Sequence, residues 1–322
     1  MSAISMRSPV VLEPASQRLV EATVGPPFLH ELSHAEARAV LDELQAAPID
    51  KLPVNDRWTT VPADVGDVRV RIVRPWDAVG TLPAILYMHG GGWVLGNADT
   101  HDRLVRELAV GTGAAVVFVE YDRSPEARYP VAIEQGYAAA QWIVREGAAN
   151  QLDPHRIAVA GDSVGGNMTA ALTLMAQERG DVRFVHQSMY YPVTDAAMDT
   201  GSYEQFADGY FLTARMMAWF WDAYEPDVAR RLEPFASPLR ASDEQLAGLP
   251  PAFLMVDEAD VLRDEGEAYA ARLRAAGTPV TTVRYDGITH DFMNLTVLRD
   301  THAARASIAQ AIAILRNGLS IT

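Results

Sequence analysis

The sequence predicts an α/β fold, a mostly parallel central sheet flanked by helices, with a small helical insertion late in the chain. Three observations predict it. From residue 83 onward, short apolar runs bounded by turn residues alternate with longer helical stretches. The runs are continuous rather than alternating, which marks strands buried on both faces, as in a parallel sheet with helices either side. One long interruption, residues 194–249, is crowded with aromatics (Tyr203, Phe206, Tyr210, Phe211, Trp219, Phe220, Trp221, Tyr224). A stretch of that length inside a compact domain is usually functional or carries helices of its own.

Residues 1–50 read as helical pieces. Ser33 followed by Glu36 forms a capping-box pattern, and Ala37, Val40, Leu41 and Leu44 carry a helical apolar stripe behind it. Pro48 and Pro53 close that segment. Val68, Val70 and Ile72, interleaved with Arg69, Arg71 and Arg74, read as a half-exposed strand. The buried runs follow at 84–88, 115–119, 157–160, 184–190, 252–256 and 280–285.

Composition excludes several functions. The chain has 322 residues and a formal charge of −15, from 42 acidic against 27 basic side chains. Such a surface repels nucleic acid unless a basic patch is present, and Arg230-Arg231 is the only basic doublet. There is no cysteine, hence no disulfide, thiol nucleophile or thiolate metal site. Arg7, Pro9, Glu13 and Pro14 interrupt the N-terminal stretch, and no uncharged run approaches the roughly 18–20 residues of a membrane helix. A cytoplasmic protein without membrane association is expected.

Gly161-Asp162-Ser163-Val164-Gly165 follows directly on the run at 157–160, and a helical stretch comes after it. A strand, a sharp turn and a helix place the serine at the sheet edge, and glycines two residues either side let neighbouring backbones approach. The alternative is a glycine-rich turn with an idle serine. His89-Gly90-Gly91-Gly92-Trp93 ends the run at 84–88, and consecutive glycines supply N–H groups that can converge on one oxyanion. The expected donors are Gly91, Gly92 and the N–H of Val164. No lysine follows within the loop, so a nucleotide-cradling loop of the Walker type fails. His89 reads as structural.

A serine hydroxyl needs a base to take its proton, and the base needs an orienting acid. With the nucleophile on such a turn, the expected chain order is serine, acid, histidine. His290 is the histidine after Ser163 that most closely follows a strand; His186 begins one and His302 falls in a helical stretch. Asp257, Asp260 and Asp264 all follow the run at 252–256. Asp257 lies close to the strand end and Asp264 belongs to the next helix, which favours Asp260.

These motifs resemble those of the hormone-sensitive-lipase-like carboxylesterases, the bacterial family IV of the α/β-hydrolase superfamily. The HGGG loop is His89 to Gly92, and the GDSAGG elbow reads Gly161-Asp162-Ser163-Val164-Gly165-Gly166. The D-P-L-R-D-E-G segment reads Asp260-Val261-Leu262-Arg263-Asp264-Glu265-Gly266, and G-x-x-H-x-F spans Gly287 to Phe292. The resemblance runs from about residue 55 to the C-terminus. It implies an α/β-hydrolase core (51–193 and 250–322) under a cap built from N-terminal helices (1–50) and the insertion (194–249). It also supports Asp260 as the acid and His290 as the base. Three departures stand out: Val164 for alanine in the elbow, Val261 for the proline after the acid, and Asp122 for an arginine in Tyr121-Asp122-Arg123-Ser124-Pro125-Glu126.

The resemblance further implies a short-chain acyl ester as small-molecule substrate, no cofactor or metal, and a possible homodimer through the sheet edge near 280–284. Trp93, Phe206, Tyr210 and Phe211 are candidates to line an apolar substrate pocket; the alternative is that such aromatics form the cap's own core. A silent binding protein on the same scaffold, like the gibberellin receptors that lack the catalytic histidine, is the rival from another class, and this chain keeps His290. Amide or lactone cleavage would use the same residues. His30-Glu31-Leu32-Ser33-His34 matches the zinc-protease pattern HExxH. That motif requires one continuous helix, and Ser33 as N-cap would leave His30 outside it.

Overall fold

The computed structural model describes residues 10–321, so the first nine residues of the 1–50 stretch lie outside the described part. Eight strands form one sheet: β1 Val54–Val61, β2 Val68–Pro75, β3 Leu82–Met88, β4 Ala115–Glu120, β5 Leu152–Asp162, β6 His186–Tyr190, β7 Ala252–Ala259 and β8 Val280–Thr289. Their order is β1-β2-β4-β3-β5-β6-β7-β8. The β1/β2 and β2/β4 pairs are antiparallel, and every pair from β4 to β8 is parallel. The continuous apolar runs are the strands β3 to β8, and those at the centre are covered on both faces; in β4, Ala115 to Val119 are all buried.

Two departures from the sequence reading have physical causes. β1 was not expected, because an edge strand such as Val-Asn-Asp-Arg-Trp-Thr-Thr-Val is mostly exposed and carries no period-two stripe. Pairing with β2, from Val54↔Pro75 to Val61↔Val68, is what extends it. β2 in turn is almost wholly buried rather than half-exposed, Arg71 and Arg74 included. Arg71 survives there because Asp56 and Asp102 accept its N–H groups at 2.6 and 2.7 Å, and a buried cation needs such partners.

The helices before the sheet are α1 Pro14–Thr23 and α2 His34–Gln45. Flanking the sheet are α3 Asp102–Thr112, α4 Val131–Glu146 and α5 Val164–Arg179, and the insertion carries α6 Gly201–Gln205, α7 Ala214–Tyr224 and α8 Asp243–Leu246. The chain finishes with α9 Arg263–Ala275 and α10 His302–Gly318. No helix among the described residues is long and apolar enough to cross a membrane.

The N-terminal segment is fastened to the end of β8. Glu13 donates its N–H to the Gly287 carbonyl at 2.7 Å, and its carboxylate caps α10 through the N–H groups of His302 and Ala303 at 2.8 and 2.9 Å. Ser16 hydrogen-bonds Thr289 at 3.0 Å. Ser33 and Glu36 form the reciprocal capping box that starts α2. Arg38 on α2 then donates to the carbonyls of Val94 and Ser124 and pairs with Glu126. His34 stacks on Trp219 of α7 at 4.8 Å, joining the N-terminal segment to the insertion.

Backbone contact between β3 and the start of α5 fixes where β5 turns. A Cβ on Gly165 would overlap the Met88 carbonyl oxygen, and one on Gly161 would overlap Gly165. Gly165→Ala is therefore expected to destabilise the fold by about 2–3 kcal/mol in urea melts, the usual scale of an overpacked interior. Gly25→Ala, where nothing lies within 4 Å, should leave the midpoint unchanged or slightly raised.

Candidate active site

β5 ends at Asp162 and α5 begins at Val164, leaving Ser163 alone in the turn with φ 55° and ψ −120°. A non-glycine residue holds a positive φ only when its surroundings impose it. Here Ser163 donates its N–H to the Tyr190 carbonyl at 2.8 Å, and its own carbonyl accepts from Asn167 and Val193 at 3.1 and 3.2 Å. The hydroxyl is thereby aimed off the end of the sheet.

Two other strand ends meet it there. β8 delivers His290 just after Thr289, and β7 delivers Asp260 just after Ala259. Ser163 Oγ lies 2.9 Å from His290 Nε2, and His290 Nδ1 lies 2.7 Å from Asp260 Oδ2. Asp260 Oδ1 accepts the Leu262 N–H at 3.0 Å, so the carboxylate is an acceptor on both oxygens and Nδ1–H is the donor toward it. Asp264 sits in the first turn of α9, paired with Arg263. The turn after Asp260 is held without a proline: Ser202 donates its hydroxyl to the Val261 carbonyl at 2.6 Å. Asp122, the third departure, accepts from the Gln135 side chain at 2.8 Å.

Gly91 and Gly92, with φ 104° and 64°, line the same cavity as Ser163 and His290. Val164 opens α5, so its N–H belongs to the first turn, where the helix itself supplies no acceptor. A buried carboxylate ties the glycine loop to the serine turn. Asp162 accepts from Tyr87 Oη at 2.7 Å and Gly90 N at 3.2 Å, with His101 Nε2 at 3.3 Å. Burial alone would raise the Asp162 pKa, but His101 and the hydrogen-bond donors hold it below the usual carboxylate range. His89 is structural in position: its ring stacks between Phe118 and Tyr121, and burial with the nearby His101 takes its pKa down to about 3.

The cavity above Ser163 measures about 940 Å³. Its walls come from the N-terminal segment (Phe28, Leu29, Leu32) and from the insertion (Phe211, Met216, Phe220). The expected aromatic lining therefore needs correction. Of the four candidates only Phe211 reaches the cavity. Trp93 is fully buried, stacked flat on Tyr224 with ring centroids 4.0 Å apart, and so clasps the insertion to the glycine loop. Phe206 is fully buried beneath Tyr210 and Arg263, and Tyr210 packs edge-on against it away from the cavity. Side-chain direction in a non-periodic insertion depends on packing that the sequence does not state, and no motif in the N-terminal wall marks it as lining a cavity.

Among the described residues one cluster, Asp257, Asp260 and His290, brings three metal-ligand atoms within 4.8 Å of one another. A cation there would have to displace the proton shared by His290 Nδ1 and Asp260. His30 lies in the short turn Leu29–Glu31 and His34 begins α2 after the Ser33 cap, so the HExxH letters do not share a helix.

Asp291, unremarked in the sequence reading, adds a carboxylate on the Nε2 side of His290. Its backbone has φ 62°, and its Oδ1, buried and without a hydrogen-bond partner, is 3.7 Å from His290 Nε2. Burial disfavours the imidazolium, but Asp260 and Asp291 outweigh it and carry His290 up to about 10. A raised pKa means the neutral ring forms only as pH rises through that value. Any activity that needs His290 as a base should therefore increase with pH along a limb displaced above 6.5. Asp291→Asn should move that limb back by about half to one pH unit in a kcat/KM profile.

The geometry agrees with comparisons to known proteins. The family model described as "alpha/beta hydrolase fold" matches residues 85–294. Carboxylesterase NlhH of Mycobacterium tuberculosis is 36% identical over 288 residues, covering 88% of this chain and 89% of the relative. Ethyl acetate hydrolase of Pseudomonas putida is 34% identical over 291 residues, covering 88% and 91%. The crystal structure of a thermostable esterase from Pseudomonas putida ECU1011 superposes with a TM-score of 0.95 at 48% identity, covering 98% of this chain and 100% of that one. The chain belongs to the hormone-sensitive-lipase-like carboxylesterases of the α/β-hydrolase fold and is a carboxylic ester hydrolase.

Proposed function

We propose that the chain is a serine esterase that cleaves short-chain acyl esters, with Ser163 as nucleophile, His290 as base and Asp260 as orienting acid. The observation that carries this reading is the chain of hydrogen bonds from Ser163 Oγ to His290 Nε2 at 2.9 Å and from Nδ1 to Asp260 at 2.7 Å, at the floor of an apolar cavity. In the acylation step His290 takes the hydroxyl proton as Ser163 Oγ attacks the ester carbonyl. Negative charge gathers on the carbonyl oxygen, where the N–H groups of Gly91, Gly92 and Val164 stabilise it. His290 returns the proton to the departing alcohol, then takes one from water, which attacks the acyl-enzyme. Asp260 stays ionised throughout and holds the ring in the tautomer that keeps Nε2 free.

Two observations favour a small acyl group. The Phe220 ring is pressed so close to Gly92 that a Cβ there would overlap it, which closes the space beside the glycine loop. One relative is named for hydrolysis of ethyl acetate. A cavity of about 940 Å³ suits a small-molecule ester, within the usual range of about 300–1,000 Å³.

A p-nitrophenyl ester series of increasing acyl length tests the proposal, with matched anilides beside it. Highest kcat/KM is expected for acetate to butyrate, with the anilides much slower. Ser163→Ala should lose about 10⁴-fold or more in kcat while its melting temperature stays near wild type. Wild-type rates in that variant would sink the assignment.

A further inference from the structure

Asp257 is on β7, three residues before Asp260, and is fully buried. Neither of its oxygens has a hydrogen-bond donor from any group with a fixed proton. What faces it is Asp260, with His290: one ligand atom of each of the three lies within 4.8 Å of the others. Two carboxylates at that range in a dry interior repel, so one of the two keeps a proton. Asp260 already accepts from His290 Nδ1 and Leu262 N, which stabilises its charge. Asp257 has no such donor, and burial followed by the charge of Asp260 pushes its pKa well above the usual carboxylate range.

We propose that Asp257 is a neutral carboxylic acid that donates its O–H to the Asp260 carboxylate and thereby sets the basicity of His290. It extends the sequence Ser163–His290–Asp260 by a fourth member and acts as a positioning residue, since it reaches the substrate only through the other three. The proposal rests on the triad reading above. By drawing part of the Asp260 charge toward itself, Asp257 weakens the hold of that carboxylate on the imidazolium. The neutral ring then forms at a lower pH than it would beside an unshared carboxylate.

Besides Glu265 of α9 and Tyr203 of α6, two buried groups that each feel the charge of Asp260, the other ionisable groups around the pair come from four elements. Asp291 follows His290 on its own loop, with Oδ1 3.7 Å from Nε2. Tyr191, just after β6, meets the His290 ring edge-on at 5.0 Å, and its buried phenol is pushed well above the ordinary value by burial and by Asp162, Asp291 and Asp257. Asp162 and His101, at the end of β5 and the start of α3, act on Asp291 from behind. Arg103 of α3 gives its guanidinium to the carbonyls of Met293 and Asn294.

The test is the pH dependence of kcat/KM for p-nitrophenyl acetate in the full chain carrying Asp257→Asn or Asp257→Ala. The asparagine amide donates to Asp260 as the acid does, at the same size and without charge. Its acid limb should coincide with wild type, with kcat/KM within about threefold. Alanine removes the donor, and its limb should move up by about half to one pH unit. The Nδ1–H proton resonance of His290 should move in the alanine variant and not in the asparagine variant. An asparagine limb that falls by about one unit would mean that Asp257 is a carboxylate, and would overturn the proposal. Identical pH profiles in the two variants, with only the melting temperature lowered, would overturn it equally and leave Asp257 a packing residue. Persistent hydrolysis by Ser163→Ala, run in parallel, would instead remove the triad reading on which it rests.

Discussion

Backbone packed directly on backbone is the constraint from which the site follows. Gly161, Gly165 and the Met88 carbonyl occupy space where a single methyl group would not fit. That contact forces β5 to turn sharply, and Ser163 takes up the positive-φ conformation the turn requires. Because Met88 ends β3 and the glycine loop begins at the next residue, the same contact sets the distance between the serine and the N–H groups of Gly91 and Gly92. Asp162 then locks the two loops together through Tyr87, Gly90 and His101. On the proposed reading, nucleophile and oxyanion donors are positioned by one packing event, which is how such a site avoids reorganising during the reaction.

Electrostatics at the site is a balance among buried carboxyl groups. Asp162 and Asp260 are each satisfied by several donors, whereas Asp257 and one oxygen of Asp291 have none with a fixed proton. In a dry interior that difference decides which groups bear charge. His290 lies between two of them, Asp260 on the Nδ1 side and Asp291 on the Nε2 side, so its basicity depends on both.

The parts of this arrangement that could be read from the sequence are those written into consecutive residues. The strand–turn–helix around Ser163, the glycines after His89 and the short segment carrying His290 are local patterns, and their residues meet in the structure. The places of β3 to β8 along the chain also followed from continuous apolar runs. What escaped was whatever depends on a distant partner. β1 is extended by pairing with β2 and has no stripe of its own. Arg71 is buried because two acids far along the chain meet it. Trp93, Phe206 and Tyr210 are aromatic residues next to the site whose side chains turn into packing instead. Phe28, Leu29 and Leu32 form a wall although nothing near them in sequence announces a cavity.

The walls of that cavity belong to two segments outside the sheet, one before β1 and one between β6 and β7, clasped by the His34–Trp219 stack. Ser163, Asp260 and His290 instead stand on strand ends and on the turns that follow them. Stability and selectivity are thus lodged in separate material. Substitutions in the walls can reshape which ester enters while the sheet keeps its cohesion. On the proposed reading, substitutions at Ser163, Asp260 or His290 cost turnover, and those at Gly161 or Gly165, which pack the turn, cost the fold as well. A chain built this way can diversify its diet without renegotiating its chemistry.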